Sequence, residues 1–388
     1  MTSTRALAAV ALVAMLPLAG CTPTPAPEAT TPPDSQPSTT ATPTPEPTVE
    51  ALVAPEPLIE IACDDLIRSS TYTNLTRDPL EAVSVIDDTF EREYQHLIET
   101  SYKLQQAQAT QCRWTNGSPQ LQSNGNISDA YSSLSVVVLP NAKTAWANYA
   151  EIYGEESRIN CGTPDEPSTF CSWDGLVDDD TWASITLDGM KNFGSKTVNK
   201  RNFQPVIDDV KAGVSAAPRG DAWTQPVDTT TISTKCPNVL TGAMIADTLG
   251  GKESSVKFGN SFIGGTGIQF EAERMIDANP CRWWTPQTVA EYGTPYEILR
   301  GGEWAWELAR AGDNNVATAK PLPFDNLAEG DTAWIRTEGE YSNVDLILGG
   351  NWISIVVYPE TLQNYEISPR DAVKAFAQGV VTRYAESN

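Results

Sequence analysis

Histidine is nearly missing: His96 is the single one in 388 residues. One imidazole excludes a multi-histidine zinc site. A Ser–His–Asp triad would depend on His96 alone, and no Gly-x-Ser-x-Gly elbow presents a nucleophile. His96 lies in a helical stretch, Glu91 to Glu99, and reads as a surface side chain. Cations are also scarce. Lys and Arg number 26 against 50 acids, a formal charge of -24. That balance argues against nucleic acid and anionic lipid headgroups as partners. Beyond the first 20 residues no apolar run approaches the roughly 20 residues a spanning helix needs. Phosphate loops are missing as well. Gly264, Gly265 and Gly267 lack the GxxxxGK[ST] and GxGxxG spacings, and between Phe262 and Phe270 they read as a hairpin. Asp178-Asp179-Asp180 fails as a calcium loop because the twelfth position is Gly189, so it reads as a turn. Neither a metal nor a cofactor is expected.

The N-terminus carries an address. Arg5 is the one charge before Ala6 to Leu16, an apolar run too short to span a membrane stably. Leu18-Ala19-Gly20-Cys21 follows at once and resembles the lipobox of bacterial lipoproteins. The resemblance implies cleavage after residue 20, lipid on the Cys21 thiol and a place on the extracytoplasmic face of the cell membrane. Losing Arg5 and no acid takes the net charge from -24 to -25. Residues 22–57 contain no Lys or Arg and are dominated by Pro, Thr, Ala and Glu. Such a stretch buries too little apolar surface to offset its ordering entropy and reads as a disordered stalk. At ~3.1 Å per residue it would reach on the order of 100 Å.

With Cys21 assigned to lipid, Cys63, Cys112, Cys161, Cys171, Cys236 and Cys281 remain. In an oxidising compartment they read as three disulfides, with 15 possible connectivities. An internal duplication chooses among them. Cys63-Asp-Asp-Leu66-Ile67 matches Cys236-Pro-Asn-Val239-Leu240. Cys112-Arg113-Trp114 comes 49 residues after the first cysteine and Cys281-Arg282-Trp283 comes 45 after the second. Ala145-Trp146 and Ala305-Trp306 follow, then Trp182-Ala-Ser184-Ile185 and Trp352-Ile-Ser354-Ile355. From the Cys-Arg-Trp cysteine to this last tryptophan is 70 residues in one copy and 71 in the other. The repeat predicts Cys63–Cys112 and Cys236–Cys281 as equivalent bridges. Cys161 and Cys171, which have no counterpart, then pair with each other.

Each copy reads as α+β. Ser133 to Leu139 is a strand that Pro140 stops, and a helix capped by Asn141 follows it. Trp182 to Leu187 and Trp352 to Tyr358 are strands, preceded by hairpin turns at Asp179-Asp180 and Gly349-Gly350. Phe203, Val206, Ile207, Val210 and Val214 line one helical face, and Val373, Phe376, Ala377 and Val380 another. Ser368, Pro369 and Asp371 mark the start of the second of these helices. The expected organisation is a signal peptide (1–20), lipidated Cys21 and stalk (21–57), and two tandem related domains (58–220 and 221–388). Each domain is an antiparallel sheet covered by helices and stapled by a disulfide.

The lipobox, the Thr/Pro stalk and the repeated Cys…Cys-x-Trp pattern resemble poorly characterised surface lipoproteins of high-GC Gram-positive bacteria. That resemblance implies a surface location and no particular activity. Eleven tryptophans remain to be placed. Trp114, Trp146, Trp182, Trp283, Trp306 and Trp352 repeat between copies and are expected in the cores. Trp173, Trp223, Trp284 and Trp304 do not clearly repeat and are candidates to line a ligand groove. The functional expectation is a non-enzymatic lipoprotein, held to the bilayer through Cys21, that binds a ligand or an envelope protein, with the cleft between copies as its site. The alternatives are a carboxylate-dependent envelope hydrolase and a structural wall spacer.

Overall fold

The structure, a computed structural model, describes residues 52–85, 98–118, 130–154, 158–162, 170–191, 194–226, 228–260, 267–278, 280–286, 295–312, 315–338 and 341–387. Cys21 with the signal and nearly all of the stalk, His96, and Gly264 and Gly265 lie outside these residues. Residues 51–388 form one compact unit. Residues 52–57, expected as the end of the stalk, are bonded to it. Gln105 Nε2 donates to Pro55 O at 3.2 Å and Gln108 Nε2 to Glu56 O at 3.0 Å.

The unit is α+β with two antiparallel sheets. In the first half the elements run α1 (Cys63–Leu66), β1 (Glu81–Val83), α2 (Thr100–Gln106), β2 (Thr110–Thr115), β3 (Ser133–Leu139), α3 (Lys143–Tyr153), β4 (Arg158–Cys161), β5 (Cys171–Leu176), β6 (Trp182–Asp188) and α4 (Lys196–Ala216). The strand order is β1-β2-β3-β6-β5-β4. The second half has α5 (Cys236–Val239), α6 (Gly242–Leu249), β7 (Lys257–Asn260), α7 (Ile268–Met275), β8 (Cys281–Trp284), β9 (Pro295–Leu299), α8 (Glu303–Ala311), β10 (Lys320–Pro321), β11 (Thr332–Glu338), β12 (Tyr341–Leu348), β13 (Asn351–Val357) and α9 (Pro369–Ser387). Its order is β10-β11-β12-β13-β9-β8-β7.

The repeat is a repeat of structure. Bridges join Cys63 to Cys112, Cys161 to Cys171 and Cys236 to Cys281. The first and third each tie an N-terminal helical turn to the strand that carries Cys-Arg-Trp. Strand alternation divides each sheet into two faces. On one face of the first sheet Trp114, Leu134, Val136, Ile185 and Leu187 meet Phe203, Val206, Ile207 and Val210 of α4. In the second, Trp283, Val344, Leu346, Ile353 and Ile355 meet Val373, Phe376, Ala377 and Val380 of α9. The opposite faces carry Trp182 packed on Trp146 of α3, and Trp352 packed on Trp306 of α8, both edge-on. All six repeating tryptophans are buried.

Those opposite faces are completed by an exchange. The chain closes α2 and α7 identically. Ala109 N donates to Leu104 O, Ala278 N to Glu273 O, and Gln108 and Asp277 take φ of 55° and 56°. The two helices are therefore equivalent, yet each crosses over. Tyr102 of α2 packs with Trp304 and Trp352 of the second half. Ile268 and Ala272 of α7 join Leu139, Trp146 and Trp182 of the first. The expected cleft between copies is filled by these helices.

Local expectations were changed in two places. Asn141 adopts φ 54° and precedes the helix without capping it. The Lys143 N–H instead reaches Asp180 Oδ1 at 3.4 Å, from the hairpin across the sheet. That hairpin is the acidic triplet: Asp178 Oδ1 accepts from Asp180 N at 2.8 Å, an Asx turn. Gly267 with Phe270 is not a hairpin, because Phe270 lies on α7 and Gly267 is the residue that precedes it. At the helix start of α9, Ser368 Oγ accepts from Asp371 N at 3.1 Å and donates to the Asp371 carboxylate at 2.6 Å.

Candidate functional site

The exchanged helix α2 brings a charge into the centre of the molecule. Lys103 Nζ lies 2.6 Å from Glu273 Oε1 and 3.1 Å from Glu297 Oε1, and all three side chains are buried. Glu297, on β9, also accepts from Ile98 N at 3.1 Å. One ammonium faces two carboxylates, so one negative charge is surplus. Burial opposes the Lys103 charge, but Glu297 and Glu273 overcome it and raise its pKa. Burial pushes Glu297 up to about 7, against the pull of Lys103, and Glu273 adds to the rise.

The equivalent place in the other half is apolar. Val137 pairs with Ser184 as Glu297 pairs with Ser354, and Ala272 stands where Lys103 stands. An aliphatic pair on one sheet has thus been replaced by an ion pair on the other. A second buried pair lies on the same face: Arg336 binds Asp345 at 2.7 and 3.1 Å, and Trp352 Nε1 donates to Asp345 at 3.0 Å. Its counterpart is Asp174, which sits opposite Ser184 as Asp345 sits opposite Ser354. Burial raises the Asp174 carboxyl, which Ser184 and Trp182 counter in part. The Lys103 cluster is buried and joins the two halves, whereas Arg336–Asp345 is buried within the second sheet and Asp174 is half-buried in the first.

A proton on Glu297 has a stability consequence. Its folded-state pKa is raised, so the folded state holds the proton more tightly than the unfolded chain. That stability is fully present below about pH 4.5 and is lost as pH rises to about 7. Melting temperatures compared at pH 5 and pH 7.5 should therefore fall less steeply in Glu297→Gln than in the parent. Equal slopes in the two proteins would remove Glu297 from the account.

Among the described residues, two pockets that open to solvent are lined mainly by the second half. One, of about 180 Å³, is lined by Asp228, Glu303, Glu329 and Asp331, with Thr229, Gly301, Gly349 and Gly350. Burial raises the carboxyls of Glu303 and Asp331, and for Glu303 the acids Glu307, Asp228 and Asp331 add to it. Asp331 has a structural duty, since its Oδ1 accepts from Gly349 N at 2.8 Å in the β12–β13 turn. Gly349 and Gly350 there take φ of 51° and 78°, a turn only glycine adopts freely. The other pocket, of about 320 Å³, lies between the Thr231–Ser233 segment, α5 and the end of α9. Ile232, Val239 and Val380 give it an apolar floor; Thr231, Ser233, Asn238, Tyr384 and Ser387 give it polar groups. Arg383 is its one charged residue. Mixed lining of this kind and this volume suit a small ligand or a few residues of peptide.

No family model and no curated protein matches the chain. One solved structure, the di-domain ARO/CYC StfQ from the steffimycin biosynthetic pathway, is similar over 72% of this chain and 83% of its own. Its sequence identity is 8% and its TM-score 0.14, too low to bear on fold or activity.

The four tryptophans expected in a groove line neither pocket. Trp173 is buried in the first core beneath the Lys211 ammonium, 5.0 Å from its ring centre. Trp304 is buried against Tyr102 of the exchanged helix. Both lack a counterpart because the halves differ in packing, not because they face a ligand. Trp223 is half-buried against the same cluster as Trp304, and its backbone N–H donates to Gln108 Oε1 at 2.8 Å. Trp284 is half-buried with its ring edge over Gly259, where a Cβ would come within 3.1 Å of it. Among the described residues no three His, Cys, Asp or Glu side chains are grouped to hold a metal, and no helix is long and apolar enough to cross a membrane. Lys103, Glu297 and Arg383 carried no motif and were missed. Only the mismatch between copies, Lys against Ala and Glu against Val, pointed to the first two.

Proposed function

We propose that the chain is a lipid-anchored, extracytoplasmic, non-enzymatic protein that binds a ligand or protein partner at the cell envelope. Anchoring rests on Leu18-Ala19-Gly20-Cys21 and the stalk after it. The three disulfides support an oxidising compartment. Binding rests on one observation, the Arg383 pocket, where a lone guanidinium and several hydrogen-bonding groups converge on an apolar floor.

Two measurements test the two parts. Expressed at full length in a Gram-positive host, the parent should sediment with membranes, and Cys21→Ala should appear in the soluble and secreted fractions. Equal membrane retention of the two would end the anchoring reading. Native mass spectrometry of the protein released from its own envelope should show a discrete added mass that is lost on denaturation or on Arg383→Gln. A bare polypeptide, with no protein co-purifying, would end the binding reading.

The acidic pocket favours a second reading, a carboxylate-dependent envelope hydrolase. Two carboxyls with raised pKa share one opening, and a protonated acid beside an ionised one is what such chemistry needs. The turn-holding bond of Asp331 weighs against it. Release of reducing ends from cell-wall glycan by the parent, absent in Glu303→Gln, would reverse the order of the two readings.

A further inference from the structure

The duplication supplies an internal template for the Arg383 pocket. In the first half the matching site is filled. There α4 stops at Ala216, because Pro218 cannot extend the helix, and the chain turns back. Residues 217–220 lie extended along residues 58–60. Glu60 N donates to Pro218 O at 3.0 Å, Gly220 N donates to Leu58 O at 2.8 Å, and Ile59 stands opposite Arg219 in an antiparallel bridge.

The second half keeps the acceptor and lacks the insert. Counted from the bridging cysteines Cys63 and Cys236, Leu58, Ile59 and Glu60 correspond to Thr231, Ile232 and Ser233. Counted from Gly213 and Gly379, Ala217 and Pro218 correspond to Arg383 and Tyr384. With no proline there, α9 runs on to Ser387 and becomes a wall of the pocket. The chain that would have paired with Thr231–Ser233 is thereby withdrawn. Thr231 O and Ser233 N, the counterparts of Leu58 O and Glu60 N, have no hydrogen-bond partner among the described residues. An acceptor and a donor with strand spacing thus face an open groove.

We propose that this groove binds an extended peptide segment of another protein, which adds to Thr231–Ser233 as an antiparallel strand and places a carboxylate on Arg383. The proposal rests on the binding reading and names its partner class. Main-chain bonds to Thr231 O and Ser233 N supply register, by the same pairing that strand addition uses at a sheet edge. Ile232, Val239 and Val380 take small apolar side chains. Among the described residues Arg383 makes no ion pair and no acid lines the groove. The large negative charge elsewhere is screened beyond about 8 Å at physiological salt, so it does not prevent an acidic segment from entering.

The test uses the disulfide-bonded chain from residue 52 to 388 and blocked tetrapeptides, Ac-Ala-Ala-Ala-Ala-NH2 with one Glu walked through the four positions. Calorimetry at 150 mM salt should find saturable, one-to-one binding for at least one Glu position. Replacing that Glu by Gln, or Arg383 by Gln, should weaken it about tenfold, the loss of one charge-assisted hydrogen bond. N-methylation of the peptide amide that meets Thr231 O should abolish it. The Arg383 side chain is exposed, so the variant keeps its fold, checked by its melting temperature. No binding by any peptide, or binding indifferent to both Arg383→Gln and N-methylation, overturns the proposal. If the peptides fail while native mass spectrometry still finds an Arg383-dependent adduct, peptide addition is wrong and the binding reading stands.

Discussion

Lys103→Met should cost about 3–5 kcal/mol of stability, the range for removing one partner of a buried ion pair. The magnitude follows from what is left behind. Glu273 and Glu297 are both buried, and without the ammonium each must be protonated or stay charged in a dry interior. Met fills the space of the stem, so cavity formation contributes little, and the loss reports electrostatics. The first half shows how to repair it. On the first sheet the same positions hold Val137 and, from α7, Ala272, and Leu104 stands where Glu273 does. The triple variant Lys103→Ala, Glu273→Leu, Glu297→Val transplants that aliphatic solution. It should recover to within about 2 kcal/mol of the parent, because replacing a whole buried ionic group is often neutral. Urea unfolding of parent, single and triple variants decides. A single variant within about 1 kcal/mol of the parent would show that water reaches the cluster. A triple no better than the single would show that the two faces are not interchangeable.

The tandem architecture was legible in the sequence because a duplication samples the same fold twice. Cys-Arg-Trp and the Trp-x-Ser strands fall at matching spacings, and those residues occupy matching places in two sheets. The disulfide pairing followed from that match and not from composition. Local patterning was equally direct for α4 and α9, whose apolar faces are continuous and long. The exchange of α2 and α7 was not legible. Each is short, and the partners of Tyr102, Trp304 and Trp352, lie 202 and 250 residues away, with nothing in its neighbours to name them. The central ions failed for a related reason. Lys103, Glu273 and Glu297 look like ordinary surface residues in a chain with 50 acids. Burial by an element from the other half is a tertiary fact. Trp173 and Trp304, two of the candidates for a groove, are core side chains, and nothing in the sequence separates the two roles. The halves are related but packed differently, so a tryptophan can be unique and still be core. The Arg383 pocket was hidden by the opposite effect. It arises from Pro218 having no counterpart in α9, and a difference at one position is invisible until the two helix ends are compared in space.

The exchange makes a second, larger prediction: neither half should fold alone. The first half as an isolated chain, residues 52–226, would lose Ile268 and Ala272 from the face carrying Leu139, Trp146 and Trp182. It would also expose Tyr102, fully buried against Trp304 and Trp352 in the whole chain. Burying an aromatic of that size stabilises by roughly 1.5–3 kcal/mol, and ordinary domains are stable by only about 5–15 kcal/mol in all. Leaving two such surfaces bare therefore removes most of the margin of a half-sized chain, disulfides included. The second half, residues 228–387, is worse placed, because Glu297 and Glu273 would lose Lys103. Each half on its own should give poor dispersion in proton NMR and bind an apolar dye. Mixed in equal amounts under oxidising refolding, the two should assemble one-to-one and regain the protease resistance of the intact chain. The first half has one self-rescue open to it, a homodimer that exchanges α2 with itself. That route sets Lys103 against Val137 in place of Glu297 and Glu273, so it should lose to the hetero-assembly whenever the second half is present. A well-folded monomer from either fragment would mean that the exchanged helices decorate two self-sufficient sheets. It would also detach the central ion cluster from the register of the halves, which is the only work the structure gives it.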